Sequence, residues 1–261
     1  MKIAAISDIH GNLLALDAVL ADIQVRGADV VVNLGDTVSG ALQPRETARR
    51  LIPLGLPTIK GNHERQLLFG DPSRMGLSDS LAHKTLLLAQ RRWLAGLPET
   101  LWLQKDILLV HGTPRSDMEY LLETVTQRGC QAATKREIAE RAGDLDARLI
   151  LCGHTHLPRA VRLDDGRLIV NPGSVGLQAY EDKHPFSHRM ETRSPHARYA
   201  LIEDHQDEWR VEFRKIAYDW IAAAEQAIEN GRIDWYHPLR TGYVSEAASS
   251  IQADWRNSKT R

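Results

Sequence analysis

The sequence predicts an α/β fold in which a parallel sheet is covered by helices. Between residues 2 and 60, short β-branched segments alternate with longer segments whose apolar residues recur at helical spacing. This alternation of strand and helix is typical of parallel sheets. The short segments end in polar, glycine-containing turns, and open α/β sheets place their ligands just beyond the carboxyl ends of their strands.

The first part of the chain supplies this alternation. The apolar spacing after Asn12 predicts a helix that Asn12 caps and that ends at Gly27. The segment from Glu64 to Leu97 is predicted to be mostly helical, with a break at Gly70-Asp71-Pro72. The predicted strands are Lys2 to Ile6, Asp29 to Leu34 and Pro57 to Lys60, and another helix is predicted over Pro44 to Leu54.

The later part of the chain contains more strands. Strands are predicted at Thr100 to Leu103, Ile107 to Val110 and Leu149 to Cys152, and helices at Met118 to Val125, Thr134 to Ala142 and Tyr218 to Ile228. Pro158 to Val170 predicts a hairpin that turns at Asp164-Asp165-Gly166, and Ala197 to Ile202 with Trp209 to Ile216 predicts a second antiparallel pair. Tyr180 to His196 is polar without periodicity and is predicted to be a long surface loop. In the tail, Trp235, Tyr236 and Trp255 suggest packing against the rest.

Composition excludes several classes of protein. The 261 residues, 43% of them hydrophobic, suffice for one large core, and 33 basic against 34 acidic residues give no global attraction to nucleic acid or anionic membrane. Cys130 and Cys152 do not form a disulfide framework. No apolar run is long enough to span a bilayer, and no signal-peptide pattern is present. We therefore expect a soluble, cytoplasmic protein.

Five predicted strand ends carry the same kind of polar residue next to a glycine. For a single histidine, a structural role is the default interpretation, but five of the eleven histidines fall at these ends, which independent coincidences do not explain. Carboxylate, amide and imidazole ligands without cysteine suit Mn, Fe, Zn or Ni and argue against a structural zinc knuckle. The residues are Asp8 with His10, Asp36, Asn62 with His63, His111, and His154 with His156.

One carboxylate can bridge two cations, and Asp36 is the natural candidate for that position. Two metal ions ~3.5–4 Å apart would lower the pKa of a bridging water toward ~7 and hold the attacking and leaving oxygens of an in-line displacement. A serine or cysteine nucleophile is then not required.

The motifs and their order resemble those of the calcineurin-like metallophosphoesterase superfamily. They are Asp-x-His, Gly-Asp, Gly-Asn-His-Glu, His-Gly and Gly-His-Thr-His. Three segments resemble its small bacterial and archaeal phosphodiesterase branch, namely Ser7 to Leu13, His111 to Pro114 and Asn171 to Gly176. The resemblance runs from Met1 to about Ile216. It implies a metallo-dependent phosphatase-like fold, a four-layer αββα sandwich of two mixed β-sheets flanked by helices. The expected domain covers residues 1–231, with a C-terminal extension over 232–261 packed on or beside it.

The resemblance also implies a role for each site residue. His63 matches the position near the leaving-group oxygen, so it is the expected general acid or transition-state stabiliser. The expected first metal is held by Asp8, His10 and His156 and the second by Asn62, His111 and His154, with Asp36 as the bridge. Mn²⁺ is the favoured ion, with Fe, Zn or Ni as alternatives.

The chain departs from the superfamily pattern after its Gly-Asp block. Phosphoprotein phosphatases continue that block with an arginine that binds phosphate, whereas Gly35-Asp36 is followed here by Thr37-Val38-Ser39-Gly40. This weakens a phosphoprotein phosphatase interpretation. Arg65, next to the catalytic block, is a candidate substrate-binding residue or merely caps the following helix. The segment from Tyr180 to His196 is longer than the turn usual in the small members, which leaves both a substrate-contacting lid and a solvated loop open.

The expected function is that of a dinuclear metal-dependent phosphodiesterase. It would hydrolyse a small phosphoester, with a nucleotide as one candidate, through in-line attack by a metal-bridging hydroxide. The alternatives are a phosphomonoesterase or dinucleoside polyphosphate hydrolase with the same site, and a non-catalytic scaffold on the same fold. We expect a small-molecule partner, no membrane partner and no long nucleic acid, because no strongly basic face is evident. Exposed aromatic residues in the tail allow a homo-oligomer.

Overall fold

The computed structural model describes residues 1–205 and 208–245, so Trp255 and the rest of the predicted tail from residue 246 lie outside the described residues. The helices are α1 Leu13–Arg26, α2 Pro44–Leu51, α3 Asn62–Phe69, α4 Leu77–Thr85, α5 Leu88–Ala95, α6 Lys135–Ala142, α7 Trp220–Glu229 and α8 Tyr236–Thr241. Strands β1 to β7 are Lys2–Ile6, Val30–Asn33, Leu101–Gln104, Ile107–Leu109, Glu123–Thr126, Gly129–Ala132 and Leu149–Leu151. Strands β8 to β13 are Arg159–Arg162, Leu168–Asn171, Ala179–Asp182, His188–Glu191, Ala197–His205 and Glu208–Ile216.

Two mixed sheets form the centre of the molecule. One has the order β13-β12-β1-β2, in which β1 is parallel to β2 and antiparallel to β12. The other has the order β3-β4-β7-β9-β8, and its three inner strands β4, β7 and β9 are parallel. Strands β8 and β9 form the predicted hairpin, and β12 and β13 form the predicted antiparallel pair.

The strand β1 shows how the layers are built. Its side chains alternate between two faces, so Ile3 and Ala5 join the core between the sheets, while Ala4 and Ile6 join the core beneath α1. On the far face of the second sheet, α6 packs over Ile150 and its neighbours. The order of layers is therefore helix, sheet, sheet, helix. The predicted four-layer αββα sandwich is confirmed.

Local capping at α1 follows the predicted chemistry. The Asn12 side chain accepts a hydrogen bond from the Ala15 backbone N–H, and Gly27 ends the helix with a φ of 69°. A side-chain oxygen at this position satisfies one of the free N–H groups of the first turn. Both predicted ends of the helix are confirmed.

The predicted strand from Pro57 to Lys60 is wrong as a full strand. Only one bridge, between Asn33 and Thr58, links this segment to the first sheet. The Asn33 N–H donates to the Pro57 carbonyl at 2.9 Å, and the Ile59 N–H donates to Asn33 at 3.1 Å. Pro57 has no N–H to extend the ladder, so the segment lies alongside β2 without forming a longer strand.

The helix predicted over Met118 to Val125 is also wrong. The segment ends in β5, which pairs with β6 in a hairpin. Thr124, Val125 and Thr126 are β-branched and favour an extended backbone, and Gly129 takes a φ of 105° after the turn. Leu121 and Leu122, the apolar residues before the hairpin, are buried because they pack against α6 and not because the segment is helical.

The long loop predicted from Tyr180 to His196 contains a second hairpin, β10 with β11. His188 and Met190 in β11 are buried, whereas Arg189 is exposed. This is the alternation of a strand with one inward face. The prediction failed because a histidine, counted as polar, occupies an inward position.

The carboxyl ends of β1, β2, β4 and β7 meet at one edge of the sandwich. Parallel pairing of β1 with β2 and of β4 with β7 brings their following loops together. The described part of the C-terminal extension, residues 232–245, is called the C-terminal segment here. At that edge, its Trp235 and Leu239 pack with Ala41, Leu42 and the alanines of α7. The proposed division at residue 231 stays a prediction. Among the described helices, none is long and apolar enough to cross a membrane.

Candidate metal centre

Six described non-glycine residues lie in the left-handed region of backbone space, and five of them, all but Arg193, follow β1, β2 and β7. Left-handed backbone costs a non-glycine residue about 1–2 kcal/mol, and such strain concentrates at functional sites. The φ values are 54° at Asp8, 50° at His10, 53° at Asp36, 70° at His154 and 60° at His156. All five are predicted metal ligands.

Glycines beside these residues allow the loops to approach one another. A Cβ on Gly61 would collide with the carboxylate of Asp36, and a Cβ on Gly153 would collide with the hydroxyl of Ser7. The sequence pairing of each ligand block with a glycine therefore has a steric cause at these two positions.

Four histidine rings are each fixed by one nitrogen on a backbone carbonyl. Since a carbonyl oxygen only accepts, the bonded ring nitrogen carries the hydrogen and the other nitrogen keeps a lone pair in the neutral ring. Hydrogen bonds of this kind orient metal-ligating histidines. The Nδ1 atoms of His10, His111 and His156 each lie 2.7 Å from the carbonyl oxygens of Ser39, Leu34 and Leu177, respectively, and His154 Nε2 lies 3.2 Å from that of Met118.

The remaining nitrogens converge with the carboxylates and the amide. His10 Nε2 and His156 Nε2 are 3.1 Å apart, and His156 Nε2 is 3.4 Å from the Asp8 carboxylate. His111 Nε2 is 3.0 Å from Asn62 Oδ1 and 3.2 Å from the Asp36 carboxylate. With both Nδ1 atoms protonated, the facing nitrogens of His10 and His156 are two acceptors in contact, an arrangement that a cation between them stabilises.

Donor atoms fall into three groups of three within 4.8 Å of one another: Asp8, His10 and His156; His10, Asp36 and His63; and Asp36, His111 and His154. Asp36 belongs to two groups, one on either side. The residues present fit two divalent cations, with oxygen and imidazole donors and a shared carboxylate. The structure brings all seven predicted ligands together at this edge, and their assignment as ligands stays a prediction.

Burial and charge set the protonation of the histidines. Burial, with the neighbouring His156, lowers the pKa of His10 to about 4, and burial with His111 lowers that of His154 to about 4. Burial also disfavours the charged form of His111, but the negative charge of Asp36 outweighs it and raises the pKa of His111 to about 10. At neutral pH, His10 and His154 are therefore neutral, whereas His111 beside Asp36 is protonated, at a position where a metal ion would replace the proton.

Both carboxylates at the centre are held in the ionised form. Burial opposes ionisation of Asp36, yet the charges of His111 and His63 keep its pKa well below its usual value. The pKa of Asp8 is likewise lowered, because His156 more than offsets the burial of the carboxyl. Ionised carboxylates are the form that binds metal.

Glu64 links the loop after β2 to the residues that begin α3. Its buried carboxylate accepts hydrogen bonds from the backbone N–H groups of Gly61, Asp36 and Thr37, each at 2.8 Å. The His63 N–H in turn donates to the Asp36 carboxylate at 2.9 Å. The Gly-Asp and Gly-Asn-His-Glu blocks are therefore one hydrogen-bonded unit.

His63 stands at the cleft with a carboxylate behind it. Its Nδ1 lies 2.8 Å from Asp79 of α4, and its ring centroid lies 5.3 Å from that of His10. Burial opposes protonation, but the charge of Asp36 and then the hydrogen bond to Asp79 raise the pKa of His63 to about 9. His63 is therefore protonated at neutral pH, with Nε2 on the far side of the ring from Asp79.

Five of the seven predicted ligands line a cleft of about 420 Å³, namely His10, Asp36, Asn62, His154 and His156. Its walls include aromatic side chains that touch the ligating histidines edge-on. Tyr120 lies 4.9 Å from His154 and Tyr180 lies 4.7 Å from His156, between ring centroids. The Tyr180 hydroxyl donates to the His154 carbonyl at 3.1 Å. Trp235 of the C-terminal segment completes the wall beside His10.

Arg65, the candidate substrate-binding residue, does not line this cleft. Its guanidinium forms two hydrogen bonds with the Asp117 carboxylate, at 2.6 and 2.9 Å. It faces a separate cavity of about 240 Å³ on the other side of His111. A contact between Arg65 and a phosphate in the cleft is therefore not supported, and its charge is already paired.

Sequence reasoning missed Glu64, Asp79, Tyr120, Tyr180 and Trp235 as parts of the site. Glu64 was visible in its motif, three residues after the Gly61 whose N–H it caps. Asp79, Tyr120 and Trp235 come from segments with no recognisable motif. Only the packing of α4, the loop before β5 and the C-terminal segment brings them to the cleft.

The profile of the calcineurin-like phosphoesterase superfamily domain matches residues 1–193. The chain belongs to the calcineurin-like phosphoesterase superfamily. Membership in this superfamily implies a phosphoester hydrolase that uses divalent metal ions, in agreement with the grouped histidines and aspartates. Trp235 lies beyond the matched residues, so the chain outside the family domain supplies part of the cleft.

Proteins similar to this chain occur in bacteria and archaea. A metallophosphoesterase from Sphaerobacter thermophilus has 27% sequence identity and a TM-score of 0.71, with 93% of this chain and 99% of that chain covered. The hypothetical protein PH1004 from Pyrococcus horikoshii shares the fold at 18% identity, with a TM-score of 0.70 and coverage of 94% and 99%. The Methanocaldococcus jannaschii protein MJ0912 is 27% identical over 248 residues, 89% of this chain and 94% of its own length.

Proposed function

We propose that this superfamily member is a dinuclear metal-dependent phosphodiesterase that acts on a small phosphoester. The observation that carries the proposal is the convergence of imidazole nitrogens on the carboxylates of Asp8 and Asp36, with each ring fixed by a backbone carbonyl at its other nitrogen. When bound, two divalent ions would supply positive charge to the phosphoryl oxygens and lower the pKa of a water molecule.

In the reaction, a water molecule loses a proton to solvent and its oxygen bonds to phosphorus, the bond from phosphorus to the alcohol oxygen breaks, and that oxygen takes a proton from its donor. His63 is suited to donate this proton or to stabilise the oxygen, because it is protonated at neutral pH and lines the cleft above Asp36. Asp79 fixes the ring through Nδ1 and leaves Nε2 as the donor.

The charge of the cleft favours a diester over a monoester. A phosphodiester carries one negative charge, whereas a phosphomonoester carries almost two at neutral pH. Among the described residues that line the cleft, no lysine or arginine is present to balance the second charge. Phosphoryl charge would therefore be met only by the metal ions and His63.

The test is a comparison of bis(p-nitrophenyl) phosphate with p-nitrophenyl phosphate. After chelation and reloading with Mn²⁺, Fe²⁺, Zn²⁺ or Ni²⁺ in turn, we expect kcat/KM for the diester to exceed that for the monoester by about tenfold or more, a difference of about 1.4 kcal/mol. A preference for the monoester would overturn the phosphodiesterase proposal and favour a phosphomonoesterase with the same fold and metal centre.

The scaffold alternative requires loss of ligands or of His63. Every predicted ligand and His63 are present and face one site, so we favour an enzyme. Absence of hydrolysis of both compounds with every metal, together with normal metal binding, would favour the scaffold. The proposed partner is a small phosphoester, with no membrane or long nucleic acid involved.

A further inference from the structure

The charged side chains around the cleft are mostly acidic. In addition to Asp36, the described residues that line the cleft include Glu181, Asp182 and Asp234. His63 is the lining residue that we expect to carry a positive charge. The acidic residues lie on two different walls, β10 and the C-terminal segment. Their effect on a substrate depends on which of them already have cationic partners.

Two of the three carboxylates have a cation nearby. Asp234 accepts two hydrogen bonds from Arg232, at 2.9 and 2.7 Å, so its charge is neutralised by a buried guanidinium. Glu181 has the Arg189 guanidinium at 4.0 Å, a loose pair on an exposed surface.

Asp182 has no cationic partner among the described residues. Its carboxylate accepts hydrogen bonds from the backbone N–H groups of Lys183 and His184, at 2.5 and 3.0 Å. These bonds fix the carboxylate at the end of β10, where it lines both the cleft and an adjoining cavity of about 530 Å³. The negative charge at this end of the cleft is therefore both oriented and uncompensated.

Nearby basic side chains are directed elsewhere. Lys60, Arg65 and Arg115 line the separate cavity on the other side of His111. Arg115 forms two hydrogen bonds with Glu119, at 2.9 and 3.0 Å, and Arg65 is paired with Asp117. Arg141 lines the adjoining cavity together with Asp182, but its guanidinium donates to the Glu123 carbonyl at 2.8 Å and to the Thr124 hydroxyl at 2.7 Å. Among the described residues that line the cleft itself, a second phosphate would meet Asp182 and no lysine or arginine.

We propose that the cleft selects phosphodiesters with a single phosphate, whose remaining groups are uncharged or cationic, and that Asp182 enforces the exclusion of a second phosphate. This inference rests on the proposed function and specifies its substrate class. Like charges within one cleft repel each other, and the repulsion is not offset unless a cation is supplied. Dinucleoside polyphosphates and nucleic acids are thereby disfavoured.

The size and lining of the cleft agree with this substrate class. A volume of about 420 Å³ accommodates one group of about mononucleotide size. Leu177, Tyr180, Trp235 and Pro238 provide apolar and aromatic surface for an uncharged part of the substrate. Trp235 is held in place by Arg232, whose guanidinium carbon lies 5.4 Å from the ring centroid.

The experiment uses two substrates that differ by one remote phosphate. Thymidine 5′-(p-nitrophenyl phosphate) and its 3′-phosphorylated counterpart share the scissile bond and the leaving group. With the metal-loaded full chain at fixed free Mn²⁺, we expect the 3′-phosphate to reduce kcat/KM by about tenfold or more, chiefly through KM. The reduction should shrink as ionic strength rises.

Variants then assign the effect. Asp182→Asn should narrow the difference in kcat/KM between the two thymidine esters, and Asp182→Lys should narrow this difference further or reverse its sign. Asp164→Asn is the matched control, because Asp164 lies in the turn between β8 and β9 with its side chain 86% exposed, and it should leave the difference unchanged.

The outcomes separate this inference from the proposed function. Equal kcat/KM for the two thymidine esters, or a difference that Asp182→Asn leaves intact, overturns the charge selection while the phosphodiesterase proposal stands. If the protein hydrolyses neither bis(p-nitrophenyl) phosphate nor either thymidine ester with any of the metals, the proposed function is overturned, and the proposed substrate class is overturned with it.

Discussion

At the scale of single residues, His63 connects the metal site to proton transfer. It follows the predicted ligand Asn62 directly, its N–H binds Asp36, and its ring binds Asp79. Asp79 is 4% exposed and reaches His63 from another helix. The pair places an imidazole with a raised pKa beside the proposed site of phosphoryl transfer, and the hydrogen bond to Asp79 fixes the orientation of the ring.

Replacing Asp79 with asparagine should move the alkaline limit of activity. We expect His63 to act in its protonated form, so activity should be retained below its pKa, which is raised to about 9, and should be lost as pH rises through that value. Without the Asp79 charge the pKa falls, and we expect the alkaline limb of the kcat profile to move down by about one pH unit. Profiles of kcat against pH from 6 to 10, with metal content measured in parallel, check this.

The matched control is Asp17→Asn, an exposed carboxylate paired with Arg50 far from the cleft, which should leave the profile unchanged. If Asp79→Asn lowers kcat by the same factor at every pH and leaves the position of the alkaline limb unchanged, then Asp79 orients the ring without affecting its protonation.

At the scale of elements, the C-terminal segment is a wall of the cleft and not only an appendage. Arg232 fixes it, because this buried guanidinium binds Asp234, donates to the Ser78 hydroxyl of α4 at 3.0 Å and lies over Trp235. The segment and the helix that carries Asp79 are thereby joined. Packing of Trp235 and Leu239 with α7 supplies the apolar part of the attachment.

We expect Arg232→Met to weaken this wall. The aliphatic part of the side chain is retained, but Asp234 becomes an unpaired negative charge in the cleft. Loss of one partner of a buried pair should lower the free energy of unfolding by about 3 kcal/mol, and the added negative charge should raise KM for a phosphodiester more than it lowers kcat. Denaturant titration and steady-state kinetics measure the two effects.

Arg240→Met serves as the comparison, since Arg240 is exposed on α8 and contacts only Tyr236 among the described residues. It should change neither quantity appreciably. If both variants behave alike, the segment is not held by the Arg232 contacts.

At the scale of the whole molecule, the candidate metal centre lies between the two sheets. The predicted ligands after β1 and β2 come from one sheet, and those after β4 and β7 come from the other. Asp8 and Asp36 are fully or almost fully buried, so without a cation their charges are balanced only by protonated histidines. Metal binding should therefore stabilise the fold as well as supply the chemistry.

Chelation should lower the melting temperature by about 5–10 °C. A metal at about 100 times its Kd contributes about 2.7 kcal/mol, and a domain of this size shifts by about 2–4 °C for each kcal/mol. Thermal unfolding with Mn²⁺ and with excess EDTA measures the shift. In Asp36→Asn, which removes the shared carboxylate, the shift should be smaller, and an equal shift in both proteins would contradict the bridging position of Asp36.

Much of the fold and the location of the site could be read from the sequence because both depend on local patterns. Buried parallel strands appear as β-branched runs, and each predicted ligand follows such a run beside a glycine. The predictions failed where a residue type misleads about its surroundings: His188 is polar but points inward, and Leu121 and Leu122 are apolar without being helical.

The sequence alone predicted the alternation of strands and helices and the loops that carry the seven predicted ligands, and the resemblance of its motifs to the superfamily implied the sandwich class and the role of His63. Only the tertiary structure decided that Asp79 lies behind His63, that Arg65 faces away from the cleft, and that Trp235 and Asp182 line it. The physical reason is that a strand and the turn that ends it can be recognised from a short run of consecutive residues. The walls of a cleft, by contrast, are set by packing between segments far apart in sequence, which leaves no periodicity to detect.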